Sequence, residues 1–356
     1  RSDLSVCHVI PDQMTDDKEL RHDFISILTK GRKSNTYKFA LARFLLEHSQ
    51  KCEPDDINKK IMNNEKEIVD YQDIANMFLK YYWHQECKYR IRQNHQKEKP
   101  PSVITTITKV FGKKYIPESL TEPKFTKQIN LAQKEIRSKV FGKESNKTSQ
   151  VIPRFQNIME GSKSKRKQIF YDYDDEKAHL EIKPEALKFF HDNNSILMKS
   201  VILEWSKFLE KINTLPRLIA KVQSADVSRS KLKKYEEIFK DFRNCFYCNA
   251  SLDGPRTHVD HFIPWSYIFE DEAWNLVLAC EGCNLKKSDS LAGPADVDYK
   301  SHWCDELIKR NHDYRKEIKP LGKSLQDLDA GKGWDTEINR HYRNCVEYGF
   351  NVVSLP

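Results

Sequence analysis

Two Cys-x-x-Cys pairs, Cys245-Phe-Tyr-Cys248 and Cys280-Glu-Gly-Cys283, constrain this chain more than any other feature. Four thiolates at such spacing suit one tetrahedral zinc ion with bonds of about 2.3 Å, and a site of this kind replaces the apolar core that a small module lacks. The expected role of that zinc is structural. Residues 249–279, 31 in all, separate the pairs, too many for a simple zinc ribbon, so a folded insert belongs between them. The chain has nine cysteines. Cys7, Cys52, Cys87, Cys304 and Cys345 are scattered, and they read as small buried hydrophobes rather than halves of a disulfide framework. His302 and Cys304 lie near the second pair but have no place in a zinc site that already holds four sulfurs, so ordinary packing is expected of them.

The insert carries residues of catalytic type. His258-Val-Asp260-His261-Phe-Ile-Pro264 places an acid and a histidine among strand-forming residues, and Pro264 fits the end of that strand. Neighbours on a strand point to opposite faces, so Asp260 and His261 need a bend to converge. Trp274-Asn275-Leu276 follows, then Asn284 and Lys287 just beyond the last cysteine. Hydrolysis of a phosphodiester needs a base for water, a divalent cation to offset charge on the phosphate, and positive groups to hold the backbone. A histidine serves as base near neutral pH. Asp260 offers a hard oxygen and Asn284 a neutral one, which suits one Mg²⁺ or Mn²⁺. Lys287, one helical turn beyond Asn284, is expected to reach toward the same phosphate.

In this order the motifs resemble the HNH, or ββα-metal, endonucleases of the zinc-knuckle type, over about residues 245 to 289. The resemblance implies that His261 is the general base, Asp260 and Asn284 are the catalytic metal ligands, and Asn275 pins the loop between strand and helix. Many members carry histidine where this chain has Asn284. His258 is read either as an aid to metal or phosphate or as a structural hydrogen-bonding residue.

Outside the motif the chain reads as mainly helical. Helices are expected from Ser34 to His48, Ile68 to Tyr89, Pro184 to Asn193, Ser195 onward until Pro216, Ser228 to Phe242, Tyr299 to Ile318 and Glu337 to Tyr348. A short hairpin is expected around Ile169–Tyr171 and Leu180–Ile182. The fold class is then α+β: a large helical recognition or regulatory domain over 1–235, followed over 236–356 by a zinc-stabilised ββα-metal module with C-terminal helices. The net charge of +8 suits a polyanionic partner. Lys163, Lys165, Arg166 and Lys167, in a stretch read as a flexible loop, and Lys286 beside the motif are the residues expected to meet phosphates.

No long apolar run argues for a membrane span, and no leader pattern is evident, so a cytoplasmic protein is expected. Two functions compete. One is a metal-dependent endonuclease acting on DNA, with RNA still open. The other is a zinc-stabilised nucleic-acid-binding or adaptor protein that does not cut. Large helical N-terminal regions on HNH proteins resemble effectors of bacterial antiviral defence, often paired with an ATPase, which implies a trigger or protein partner for the first domain.

Overall fold

The computed structural model describes residues 12–30, 33–96, 98–112, 123–141, 151–160, 163–166, 168–223, 232–252, 257–293 and 302–356. The chain divides into two compact units, Arg1–Asn213 and Thr214–Pro356. The sequence reading sets its boundary after residue 235; the described residues 214–223 and 232–235 group with the second unit. Among the described residues no helix is long and apolar enough to cross a membrane.

The first unit begins with α1 (Asp12–Thr29), α2 (Tyr37–Ser49) and α3 (Pro54–Asn63). In α2 the stripe Tyr37, Leu41, Phe44 and Leu45 is buried, as helical spacing predicts. The expected helix from Ile68 is corrected at its start. Glu67–Asp70 is a strand, β1, and α4 (Tyr71–Cys87) begins only after it. The reason is Asp70, whose extended backbone (φ −68°, ψ 142°) and carboxylate, accepting from the Gln72 N–H at 2.6 Å, make it an N-cap.

Two further helices follow, α5 (Ser102–Phe111) and α6 (Pro123–Ile136), the latter running into a wider turn over Arg137–Phe141, and then α7 (Val151–Phe155). β2 (Asn157–Glu160) and β3 (Lys163–Arg166) form an antiparallel pair. The expected hairpin is present as β4 (Tyr171–Asp174) and β5 (His179–Ile182). β1 adds to β5, giving a sheet of order β1-β5-β4 with β1 at an edge. α8 (Pro184–Asp192) and α9 (Asn194–Glu210) close the unit. Its core is aromatic: Phe24 meets Phe155, Phe170 and Phe190 edge-on, and Trp205 stacks on Phe39 at 6.2 Å.

The second unit opens with α10 (Leu218–Gln223) and α11 (Lys233–Ile238), so the helix expected over 228–242 is shorter, its first residues lying outside those described. Next come β6 (Thr257–His261), α12 (Trp265–Ile268), a single 3₁₀ turn over Ala273–Asn275, β7 (Leu276–Cys280) and α13 (Glu281–Lys287). β6 and β7 pair antiparallel with His258 opposite Ala279 and Asp260 opposite Val277. With α13 they form the ββα unit. β8 (Leu291–Ala292) is followed by α14 (His302–Tyr314), α15 (Lys319–Leu328), α16 (Trp334–Glu347) and β9 (Val352–Val353), which pairs parallel with β8.

The three C-terminal helices hold the ββα unit and the β8 strand that follows it through backbone groups. From α14, Arg310 donates to the carbonyls of Leu276 (2.9 Å) and Trp274 (3.2 Å). From α15, the Ser324 hydroxyl accepts from the Trp274 N–H at 3.0 Å. From α16, the Tyr342 hydroxyl donates to Ala292 O at 2.9 Å. The helix α15 was not expected from the sequence. Pro320 occupies the first helical turn, where a missing N–H costs nothing. Gly322 is required there because a Cβ would run into the Arg315 carbonyl.

Candidate metal centre and active site

The two cysteine pairs flank the β6–β7 hairpin in sequence and meet at its open end, where Thr257 pairs with Cys280. Cys245 and Cys248 sit on a tight turn, closed by the Cys245 N–H on Ala250 O (2.8 Å) and by Asn249 in the left-handed region (φ 57°). Asparagine tolerates that conformation better than most side chains. Cys280 ends β7 and caps α13, and Cys283 lies in the first turn of that helix. The Cys283 N–H pulls the Cys280 thiol down to about 7, while burial pushes the Cys283 thiol up, so a metal taking all four sulfurs would displace protons from the others. All four sulfurs lie within 4.8 Å of one another, and Cys248 and Cys280 are 3.7 Å apart. A tetrahedron with bonds of about 2.3 Å has edges near 3.8 Å, so this donor set fits zinc.

Asp260 and His261 stand at the end of β6, both less than a tenth exposed. The Asp260 carboxylate is held from two sides. The Tyr247 hydroxyl donates to its Oδ2 at 2.7 Å, and the Lys287 ammonium lies 3.1 Å from the same oxygen. Burial and the Asp260 charge push the Tyr247 phenol well above its ordinary range, so it keeps its proton and donates. Lys287 also donates to the His261 carbonyl at 2.7 Å, tying α13 to the last residue of β6.

His261 directs Nε2 at Asp271 Oδ1, 3.0 Å away. A carboxylate only accepts, so Nε2 carries the proton in the neutral ring and Nδ1 is the nitrogen that can take one from water. Asn275 is fully buried and grips Ile263 at both ends, its Oδ1 accepting from the Ile263 N–H (2.7 Å) and its Nδ2 donating to the Ile263 carbonyl (2.9 Å). That grip fixes the chain leaving β6 just before Pro264.

The remaining expected residues are placed less uniformly. Asn284 is half-buried on α13, one turn before Lys287, and His258 is half-buried on β6, on the same strand face as Asp260. Lys286 is exposed on α13. The expectation for Lys287 is corrected: the side chain is fully buried and turned onto Asp260 rather than outward to a phosphate. A charged ammonium cannot remain buried without a carboxylate and carbonyl partners, and Asp260 and His261 supply both. Lys163, Lys165 and Arg166 lie on a paired strand, not a loop, while Lys167 falls outside the described residues. His302 and Cys304 are not drawn to the cysteine cluster: His302 packs on Trp303 at 4.3 Å and Cys304 is buried.

Two residues of the site were not singled out by sequence. Tyr247 was visible only as a spacer inside the first cysteine pair. Asp271 lies in the acidic run Glu270-Asp271-Glu272, where nothing in the spacing distinguishes one carboxylate from the next.

This assembly of a β-hairpin, a helix, an Asp-His pair at the strand end and a four-cysteine cluster is that of an HNH endonuclease domain, and residues 245–292 match the HNH endonuclease family. Residues 18–227, more than half of the chain, match a domain of unknown function, DUF8808, and the chain belongs to that family. No curated protein and no solved structure matches the chain.

Proposed function

We propose that this protein is an endonuclease that hydrolyses phosphodiester bonds in DNA at its HNH domain. The observation that carries the reading is His261, oriented by Asp271 at the end of β6 beside the Asp260 carboxylate. His261 takes a proton from the attacking water at Nδ1 while Asp271 accepts the Nε2 hydrogen and steadies the imidazolium that forms. Asp260 and Asn284 would hold one Mg²⁺ or Mn²⁺, a donor set of hard oxygens that suits such a cation; when bound, it offsets charge on the phosphate and leaving oxygen. The Asp260 carboxylate carries Lys287 in its place here. The four cysteines keep the hairpin and α13 in register and take no part in the chemistry.

Supercoiled plasmid, a matched single strand and an RNA of the same sequence, each incubated with the protein and Mg²⁺ or Mn²⁺, test this directly. Cleavage of DNA that disappears in His261→Ala supports the assignment. Binding without cleavage under every metal would favour the adaptor reading, and undiminished cutting by His261→Ala would sink the role given to that residue.

A controlled nuclease is favoured over a constitutive one by a specific feature. Asp260 and His261 are only 6% and 5% exposed, and an internal ammonium neutralises the metal-binding carboxylate. We infer that the DUF8808 region recognises the substrate or a protein partner, such as the ATPase of a defence system, and that this engagement opens the site. Full cleavage rates in the lone protein, unchanged by any partner, would count against control.

A further inference from the structure

We propose that the first unit holds a second metal ion, Zn²⁺, between His48, Cys52 and Glu67, with water as the fourth ligand. The three residues come from different places in the fold: the last turn of α2, the short connection before α3, and the first residue of β1. Their donor atoms, the His48 Nε2, the Cys52 Sγ and a Glu67 carboxylate oxygen, all lie within 4.8 Å of one another. The site is far in sequence from the four cysteines and shares no residue with them.

The geometry distinguishes this group from an ordinary surface ion pair. His48 Nε2 and Glu67 Oε1 are 3.0 Å apart, while the other carboxylate oxygen, Oε2, faces the Lys60 ammonium at 3.2 Å. The carboxylate is therefore shared, with one oxygen for His48 and one for Lys60, and a cation taking Oε1 leaves the Lys60 pair in place. Around a tetrahedral zinc, nitrogen and oxygen donors sit at about 2.0–2.2 Å and sulfur at about 2.3 Å, so neighbouring donors are roughly 3.3–3.6 Å apart. His48 and Glu67 need to open by a few tenths of an ångström, and the Cys52 sulfur, within 4.8 Å of both, is brought into the tetrahedron by side-chain rotation.

The chemistry of the donors agrees. A mixed imidazole, thiolate and carboxylate set is that of a borderline-soft ion rather than of Mg²⁺ or Ca²⁺. The Cys52 thiol hydrogen points at the His48 carbonyl, 3.7 Å away, and a bound zinc would replace that proton. His48 is steadied by stacking on Phe44 at 5.8 Å. His48, Cys52 and Glu67 are each partly exposed, which gives an ion and its water a way in. Cys52 is thus not the buried hydrophobe expected from its isolation in sequence. Bound there, zinc would fasten the exposed edge strand β1 to the end of α2.

The test is zinc content of the full chain after equilibrium dialysis against micromolar Zn²⁺, for wild type, Cys52→Ser and Glu67→Gln. The expected result is one zinc per chain fewer in each variant, since any ion at the cysteine cluster or at Asp260 is common to all three and cancels. Equal content in all three overturns the proposal. Should the variants not fold, zinc-edge anomalous diffraction from wild-type crystals decides. A peak between His48, Cys52 and Glu67 supports the site, and a difference map with zinc only at Cys245, Cys248, Cys280 and Cys283 overturns it.

Discussion

Asp271 acts on the proposed base through the Nε2 hydrogen bond, so its loss should be felt in the rate at the base. His261→Ala is expected to lower kcat by about 10²–10⁴-fold, the range for removing a general base. Asp271→Asn should cost up to about 10⁴-fold, because an amide there favours the wrong imidazole tautomer. Single-turnover plasmid cleavage ranks the two, and an Asp271→Asn enzyme as fast as wild type would remove Asp271 from the site. Lys287 gives a sharper test. With methionine in its place the buried Asp260 carboxylate loses its cation, at a cost of about 3–5 kcal/mol in the metal-free protein. Mg²⁺ bound at Asp260 should restore part of that, so thermal melts of Lys287→Met should rise more on adding Mg²⁺ than those of wild type. Equal rises would mean that the cation does not bind at Asp260. What was legible at this scale was chemical identity: Asp260, His261, Asn275 and the cysteines stand in one short stretch with distinctive spacing. What was not legible was direction. Lys287 was expected to face outward because helical spacing gives a phase and not a partner. Tyr247 and Asp271 went unnoticed because each is recruited by a fold that brings distant turns together.

The elements were legible where one signal dominated and misread where two competed. The hairpin β4–β5 follows from strand-forming residues, α8 from the proline at its start, and α9 from the apolar spacing of Val201, Trp205, Phe208 and Leu209. β1 was absorbed into a helix because Ile68 and Val69 fit either pattern, and the boundary rests on the Asp70 cap and on pairing with β5, a segment more than a hundred residues away. Asp70→Ala should therefore lower stability by about 1 kcal/mol, measured by denaturant unfolding, and a change near zero would show that the β1–β5 pairing alone stops the helix. The hairpin of β6 and β7 depends on a different support. Zinc in four-thiolate sites contributes on the order of 10–16 kcal/mol of apparent binding free energy, more than a small module's own core supplies. Dialysis against a strong chelator should therefore melt the ββα unit and abolish cleavage, and neither should be recovered by Mg²⁺ alone. Cleavage that survives complete zinc removal would show that α14, α15 and α16 hold the unit unaided.

At the scale of the whole molecule, one contribution to the loss of stability in acid comes from a buried histidine outside the proposed chemistry. His341, on α16, stacks on Trp274 at 6.0 Å and meets Tyr267 edge-on at 5.7 Å. Burial first, then the Arg340 charge, pushes its titration down to about 4. In the unfolded chain a histidine titrates near 6.5. Between those two values the unfolded state binds a proton that the folded state refuses, so stability falls as pH drops from about 6.5 to about 4. The loss over that window is about 3 kcal/mol, and it is absent above neutrality. Acid also protonates the zinc thiolates, which destabilises the same unit through a separate route. The two are separated by His341→Phe, which keeps a flat ring between Trp274 and Tyr267 but cannot titrate. Calorimetric melts at pH 7 and pH 5 should show a smaller downward shift for His341→Phe than for wild type. Identical shifts would assign the whole acid sensitivity to metal release and none to α16, so the packing of that helix against Trp274 and Tyr267 would be independent of pH.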